Sequence, residues 1–362
     1  MSVFLSQSIE HYFGPNQPYC RRKKVAKVTE KPQERTFCSG KGMKMVAPPI
    51  GLKEVDRIEI ISLMDNYVDL LLGDTEIAKR PLLSDTDILP TDTLHAEHGL
   101  SLLVKVESGS ESHTVLLDTG YSEAGVLHNM GILHVDIGSI EAIVISHSHM
   151  DHNGALLPLL DRVSRKPAIV LHPHAFHYPR FLKDAKGERT YFPRVLIKEE
   201  LQKRQPTLLI NDGPTLIAND MVAVTGEVER NTDFEKGMPN GFLEIDGRIE
   251  CDTIKDDQAL AVYVRGSGLV VISGCSHSGI INTLLFAQKI TGIERIYGVL
   301  GGFHLTGQLP EHVLDKTIEE LKKLNPEVIV PMHCTGWNAI KRIEAEFPNA
   351  LTMNSVGTKY IL

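Results

Sequence analysis

Three imidazoles and one carboxylate fall within a single short run, Ser146-His147-Ser148-His149-Met150-Asp151-His152. Neutral imidazole nitrogens and carboxylate oxygens are ligands for zinc, iron and manganese. The apolar residues Ile143-Val144-Ile145 directly before them suit a buried strand and are too few for a helix. Side chains two apart on an extended chain point the same way, so His147 and His149 can share one cation. As the chain turns, Asp151 and His152 reach a second cation beside the first. A polar loop with chance histidines is the competing reading, and four such groups at this spacing favour metal. The expectation is two divalent ions, Zn2+ first, with Mn2+ or Fe2+ as alternatives.

Two cations need further ligands, and three later segments offer them, each just past an apolar run. Cys275 and His277 follow Leu269-Val270-Val271-Ile272, His304 follows Val299-Leu300, and His333 and Cys334 follow Val328-Ile329-Val330. Ligands just past the carboxyl ends of strands sit where open α/β sheets place their sites. A lone histidine is more often structural. Three repeats of strand then histidine reverse that preference.

The elements that must position these residues can be read coarsely. Strands are expected at 58–64, 100–106, 114–118, 168–171, 269–272, 298–300 and 328–330, with helices near 123–130, 156–163, 280–290 and 311–324. Residues 172–254 hold His174, Phe176, His177, Tyr178, Phe181, Tyr191 and Phe192. Such a long connection reads equally as a lid over a substrate or as a peripheral subdomain with its own small core. Residues 1–55 are expected to be a basic, mobile extension, with Arg21-Arg22-Lys23-Lys24 solvated and Pro48-Pro49 near the boundary to a domain over 56–362.

Composition limits the function. The 362 residues carry 38 basic and 46 acidic side chains, a net charge of −8, which argues against nucleic acid as partner and leaves a small molecule. No apolar stretch approaches a membrane span, and the N-terminus lacks a secretory pattern. Five cysteines (Cys20, Cys38, Cys251, Cys275, Cys334) without CxxC pairs suggest a reducing cytoplasm, with thiols free or metal-bound. The sequence sets no oligomeric state.

The HxHxDH run, the preceding Leu117-Asp118-Thr119-Gly120 and the downstream Gly-Cys and Pro-x-His-Cys segments resemble the metallo-β-lactamase superfamily over residues 58–362. That resemblance implies an α/β fold, a four-layer αββα sandwich with metals at one sheet edge. Ala96-Glu97-His98-Gly99-Leu100-Ser101, Asp256-Asp257-Gln258-Ala259-Leu260, and the segments from Gly274, Gly301 and His333 are similar to a narrower subfamily. It includes proteins named 7,8-dihydropterin-6-methyl-4-(β-D-ribofuranosyl)-aminobenzene-5′-phosphate synthase, associated with joining a pterin-methyl diphosphate to an arylamine. One motif departs from the superfamily pattern. Where a GHTxGH-like motif would bring another histidine, Val224–Arg230 has none. Glu227 could substitute, His277 could supply the imidazole, or one site is weaker. His277 is favoured as the ligand that joins His147 and His149, leaving Asp151, His152 and His333 for the other ion. Cys275, where the superfamily places a Gly-Asp or Gly-Cys ligand, would lie within reach of that second ion.

The expected activity is hydrolysis by a metal-activated water, with Asp151 orienting it and accepting a proton. A pterin-type transferase releasing diphosphate is the alternative, and a non-catalytic metal-binding protein the third reading. His304 is expected to be catalytic and to contact substrate, because Gly301-Gly302-Phe303 allows close backbone approach. Arg230, Arg180 and Lys183 are the cationic candidates near the ions.

Overall fold

In the computed structural model, residues 48–82, 84, 87–307 and 311–362 are described. The strongly apolar strands are buried on both faces, and alternation sends their side chains into different layers. In Gly268–Ser273, Val270 and Ile272 join the core between two large sheets, while Leu269 and Val271 face outward onto helices. In Ile140–Val144, Ala142 and Val144 point inward and Ile143 outward. A strand with two apolar faces must be covered twice, and the outcome is helix, sheet, sheet, helix.

The first large sheet runs Leu208–Ile210, Ala168–Leu171, Ile140–Val144, Glu111–Leu117, Ser101–Ser108, Arg57–Met64, Lys359–Ile361 and Ala78–Lys79. Helices Gly125–Ile132 and Leu156–Arg162 cover its outer face through Val126, Met130, Leu156, Leu159 and Leu160. The second runs Thr215–Ile217, Val222–Val224, Ala259–Val264, Gly268–Ser273, Ile296–Gly302 and Val328–Met332. Its outer face carries helices Ile280–Thr291, Glu311–Leu324 and Trp337–Glu346. Gly268–Ser273, Ile296–Gly302 and Val328–Met332 are parallel, so their carboxyl ends open onto one edge. The end of Ile140–Val144 meets that edge from the other sheet: Gln258 donates its backbone N–H to Ser146 O (3.0 Å) and its side-chain amide to Ile145 O (2.8 Å). Gly274 is required there, because a Cβ would lie 2.1 Å from Ser146 Oγ.

A third, small sheet (Arg248–Cys251, Gly241–Ile245, Arg180–Lys183, Arg189–Tyr191) is built from the segment 172–254. Phe181 packs against both Tyr191 and Phe242 within it.

Two expectations are corrected. The folded domain begins before residue 56: Ile50 donates its N–H to Ile290 O, Ile50 and Leu52 pack on the outer core, and Glu54–Val55 pairs with Tyr263 and Val264. These residues are apolar enough to extend the second sheet, and Pro48-Pro49 precedes them. Most of the basic extension, with Arg21 to Lys24, Cys20 and Cys38, lies outside the described residues. Cys251, at the end of the peripheral strand Arg248–Cys251, is disulfide-bonded, so its sulfur is neither a free thiol nor a metal ligand. The cysteine count therefore does not argue for a reducing compartment. No helix among the described residues is long and apolar enough to cross a membrane.

Candidate metal centre

The first group of ligands converges on His147. Its Nε2 lies 3.0 Å from His149 Nδ1 and 3.2 Å from His277 Nε2, and the three donors lie within 4.8 Å of one another. The proton of His147 is placed from behind. Ser146 Oγ donates to Asp118 Oδ2 (2.7 Å), so that oxygen can only accept from His147 Nδ1–H at 3.0 Å. The lone pair of Nε2 is thereby turned toward the other two imidazoles. Burial, reinforced by neighbouring imidazoles, holds His147 and His277 well below the ordinary histidine value. Burial also pulls His149 down to about 3. All three are neutral at physiological pH, the form that ligates.

The second group surrounds Asp151. Its Oδ2 lies 3.3 Å from His333 Nε2, 3.9 Å from His152 Nε2 and 3.7 Å from His98 Nε2. Cys275 Sγ stands 3.1 Å from His152 Nε2. Here too the rear nitrogens are committed. His152 Nδ1 donates to Asp118 Oδ2 at 2.6 Å, and His333 Nδ1 faces Asn66 Oδ1 at 3.3 Å. Asn66 Nδ2 already donates to His333 O, which fixes the orientation of that amide. Asp65 fixes the His333 backbone, accepting its N–H at 2.8 Å. His333 Nε2 is left buried with no hydrogen-bond partner, beside a carboxylate oxygen that also only accepts. A proton or a cation satisfies both.

The charges agree with a cation between them. Burial works against the ionised Asp151, yet His152 and His333 hold its carboxyl well below the usual range. Burial also opposes charge on His152, but Asp118 and Asp151 outweigh it and raise the imidazole to about 9. Burial, with Cys334 beside it, pushes the Cys275 thiol up. A metal reverses that direction for a coordinating thiol. These donors, two imidazoles, a carboxylate and a thiol, fit a divalent transition metal.

His304 lies beside both groups without joining either. Its ring packs 4.2 Å from that of His277, its Nδ1 is buried and unpartnered, and its φ of 46° is left-handed. Burial would lower its pKa, but Cys334 and Asp257 hold it above the ordinary value. Gly302 makes room for this corner, since a Cβ there would lie 2.7 Å from Cys334 Sγ.

The structure brings together His147, His149 and His277 in one group, and Asp151, His152, His333 and Cys275 in the adjoining one. Glu227 is exposed and joins no ligand group among the described residues. The three cationic candidates are already engaged. Arg180 is paired with Asp256 (2.7 Å) and Asp252 (3.4 Å), Arg230 donates to His277 O, and Lys183 lies over the Phe242 ring at 4.2 Å. Asp118, Asp65, Asp256 and His98 receive no role from sequence, whereas Cys334 is offered there beside His333 as a candidate ligand. Asp118 follows a strand as the candidate ligands do, so position could have flagged it. Nothing local marks Asp256, which receives Ser148 N–H and Oγ–H at 2.9 Å each and so braces the metal loop.

The third sheet reaches the centre. Phe192 stacks on His149 at 4.6 Å, and a cleft beside it is lined by Ser148, His149, Phe176, His177, Tyr178 and Arg194 among others. A roomier hollow of about 530 Å³, lined by Glu59, Lys105, His134 and Lys359 among others, contains none of the candidate ligands. Chemistry, not volume, marks the site.

The model of the Metallo-beta-lactamase superfamily matches residues 96–241. A Methanocaldococcus jannaschii protein named 7,8-dihydropterin-6-methyl-4-(beta-D-ribofuranosyl)-aminobenzene-5'-phosphate synthase is 33% identical over 260 residues, 70% of this chain and 85% of that protein. An uncharacterized protein of the same organism is 31% identical over 248 residues, 68% and 88% of the two chains. A crystal structure of a metal-dependent hydrolase of the beta-lactamase superfamily superposes with a TM-score of 0.64 at 27% identity, covering 83% of this chain and 98% of that one. Four-layer architecture, candidate ligands gathered at one sheet edge and these similarities lead to one conclusion: the chain belongs to the metallo-β-lactamase superfamily.

Proposed function

We propose that this protein is a metal-dependent hydrolase of a small molecule, holding two divalent ions, Zn2+ first. His147, His149 and His277 hold one ion. Asp151, His152 and His333 hold the other, with Cys275 in reach. The observation that carries this reading is the orphaned Nε2 of His333 against Asp151, together with imidazoles whose rear nitrogens are engaged by Asp118, Ser146 and Asn66. Bound there, the ions would supply an acidified water and positive charge for a leaving oxygen. Asp151, kept ionised, orients the attacking water and accepts its proton. His304, kept protonated above its ordinary range, touches substrate and donates to the leaving group. Phe192, Tyr178 and Phe176 line the way in and exclude water from one flank.

The test is activity against lactone, thioester and phosphodiester substrates after loading the chelated protein with zinc, manganese or iron. We expect turnover with at least one substrate class, lost on chelation and recovered on reloading. Turnover that survives complete metal removal would sink the reading. A transferase joining a pterin-methyl diphosphate to an arylamine is the second reading, favoured by the name of the 33% identical relative. Diphosphate release that requires both co-substrates, with no hydrolysis of the three classes, would select it.

A further inference from the structure

Away from the centre, a second set of donors converges on the surface. Asp92, His95 and His128 place one ligand atom each within 4.8 Å of one another. His95 Nε2 and His128 Nε2 face the same oxygen, Asp92 Oδ1, at 3.9 and 3.5 Å. Both distances are too long for a hydrogen bond. The two rings are stacked 4.0 Å apart and 9° from parallel, so their Nε2 atoms lie side by side and a small rotation of each ring would turn both lone pairs onto one ion. His128 Nε2 also lies 2.8 Å from Thr93 O.

This arrangement is held by buried structure. Asn129, fully buried on helix Gly125–Ile132, accepts the N–H of His95 (2.9 Å) and donates to His95 O (2.8 Å) and Leu63 O (2.7 Å). His128 precedes Asn129 in the same helix, so one helical turn carries one imidazole and anchors the backbone that bears the other. Two imidazoles and a carboxylate, open to water on the remaining side, match the donors that zinc, nickel and copper take.

We infer that Asp92, His95 and His128 form a peripheral transition-metal site, separate from the catalytic centre. Zinc there binds through the two imidazoles and the Asp92 carboxylate and completes its sphere with water. His128 turns its Nε2 lone pair to the ion by carrying its proton on Nδ1, giving up the contact with Thr93 O. The ion ties the segment 92–95 to helix Gly125–Ile132. Three residues on, His98 stands 3.7 Å from Asp151 and its ring 4.9 Å from that of His333. Occupancy therefore stiffens the segment that brings His98 to the catalytic centre.

Two measurements test this on the full chain, and neither uses activity. Protein already saturated at the centre is titrated with further zinc, followed by calorimetry and by metal content after gel filtration. The intact protein should take up one saturable equivalent more than His95→Ala/His128→Ala, and Asp92→Asn should weaken that equivalent at least tenfold. Hydrogen exchange over 92–98 should slow with the added zinc in the intact protein only. Central occupancy stays equal in all variants, so failure of the centre and failure of this site are distinguishable. Equal zinc uptake by the intact protein and the double variant, or slowed exchange in both, would overturn the inference.

Discussion

Asp118 touches no candidate substrate path, yet two candidate ligands, His147 and His152, depend on it. Its Oδ2 takes the proton of His152 Nδ1 and the hydroxyl hydrogen of Ser146, and the latter sets the tautomer of His147. Carboxylates that orient ligating histidines are worth about 10–100-fold in metal affinity. Asp118→Asn should therefore weaken metal retention by that factor, measured by competition with a chelator, while circular dichroism keeps the native signature. Unchanged retention would show that the ligands are set by packing alone. His304 makes a contrasting case. If it donates a proton to the leaving group, His304→Ala should lower kcat by about 10²–10⁴-fold with metal content intact. A fall in metal content instead would reassign it as a ligand. The HxHxDH run was legible because four donors crowd one turn after a strand. Asp118 was not, because an acid earns meaning here only through a hydroxyl and an imidazole that approach it from elsewhere in the chain.

Elements with continuous apolar runs could be read from sequence, since burial on both faces leaves no alternation to confuse them. Ala168–Leu171, Gly268–Ser273 and Val328–Met332 are of this kind, and the last two lead into candidate ligands. The pairing of Lys359–Ile361 with Arg57–Met64 joins the two ends of the domain, and three residues give no local signal for it. The third sheet was hidden for another reason. Its strands are short and half-exposed, and its attachment is ionic. Arg180, almost fully buried, reaches Asp252 and Asp256, and Asp256 in turn grips Ser148 between two candidate ligands. Removing one partner of a buried pair strands the others, at a cost of about 3–5 kcal/mol. Arg180→Ala should lose stability of that order in denaturant unfolding and should also weaken metal binding at His149. Arg180→Lys, which keeps charge but not the fork, should recover only part of either. Full metal affinity in Arg180→Ala would mean that the sheet is a passive neighbour of the site.

Across the whole molecule, the clustering of imidazoles makes stability depend on pH and metal together. The pKa of His149 falls to about 3, and those of His147 and His277 are also depressed, so below pH 6.5 these three imidazoles bind more protons in the unfolded chain than in the folded one. Stability of the metal-free protein should then fall as pH falls from that point. His152 acts in the opposite sense. Its folded pKa is raised to about 9, so its contribution is complete below pH 6.5 and is lost as pH rises through 9. At 1.36 kcal/mol per unit, that loss amounts to about 3 kcal/mol at most. The contribution of these four imidazoles to the metal-free protein should peak near pH 6.5. Once loaded, His152 holds the ion through the nitrogen that otherwise carries the proton, and rising pH removes the competitor. The stability of the loaded protein should therefore hold or rise between pH 6.5 and 9 while that of the chelated protein falls. Ligand at about a thousand times its Kd adds about 4 kcal/mol, enough to separate the two thermal transitions by several degrees. Thermal unfolding with and without chelator across this range measures the gap. A gap that stays constant from pH 6.5 to 9 would mean that no proton leaves His152 when metal binds, and that the second ion does not sit against it.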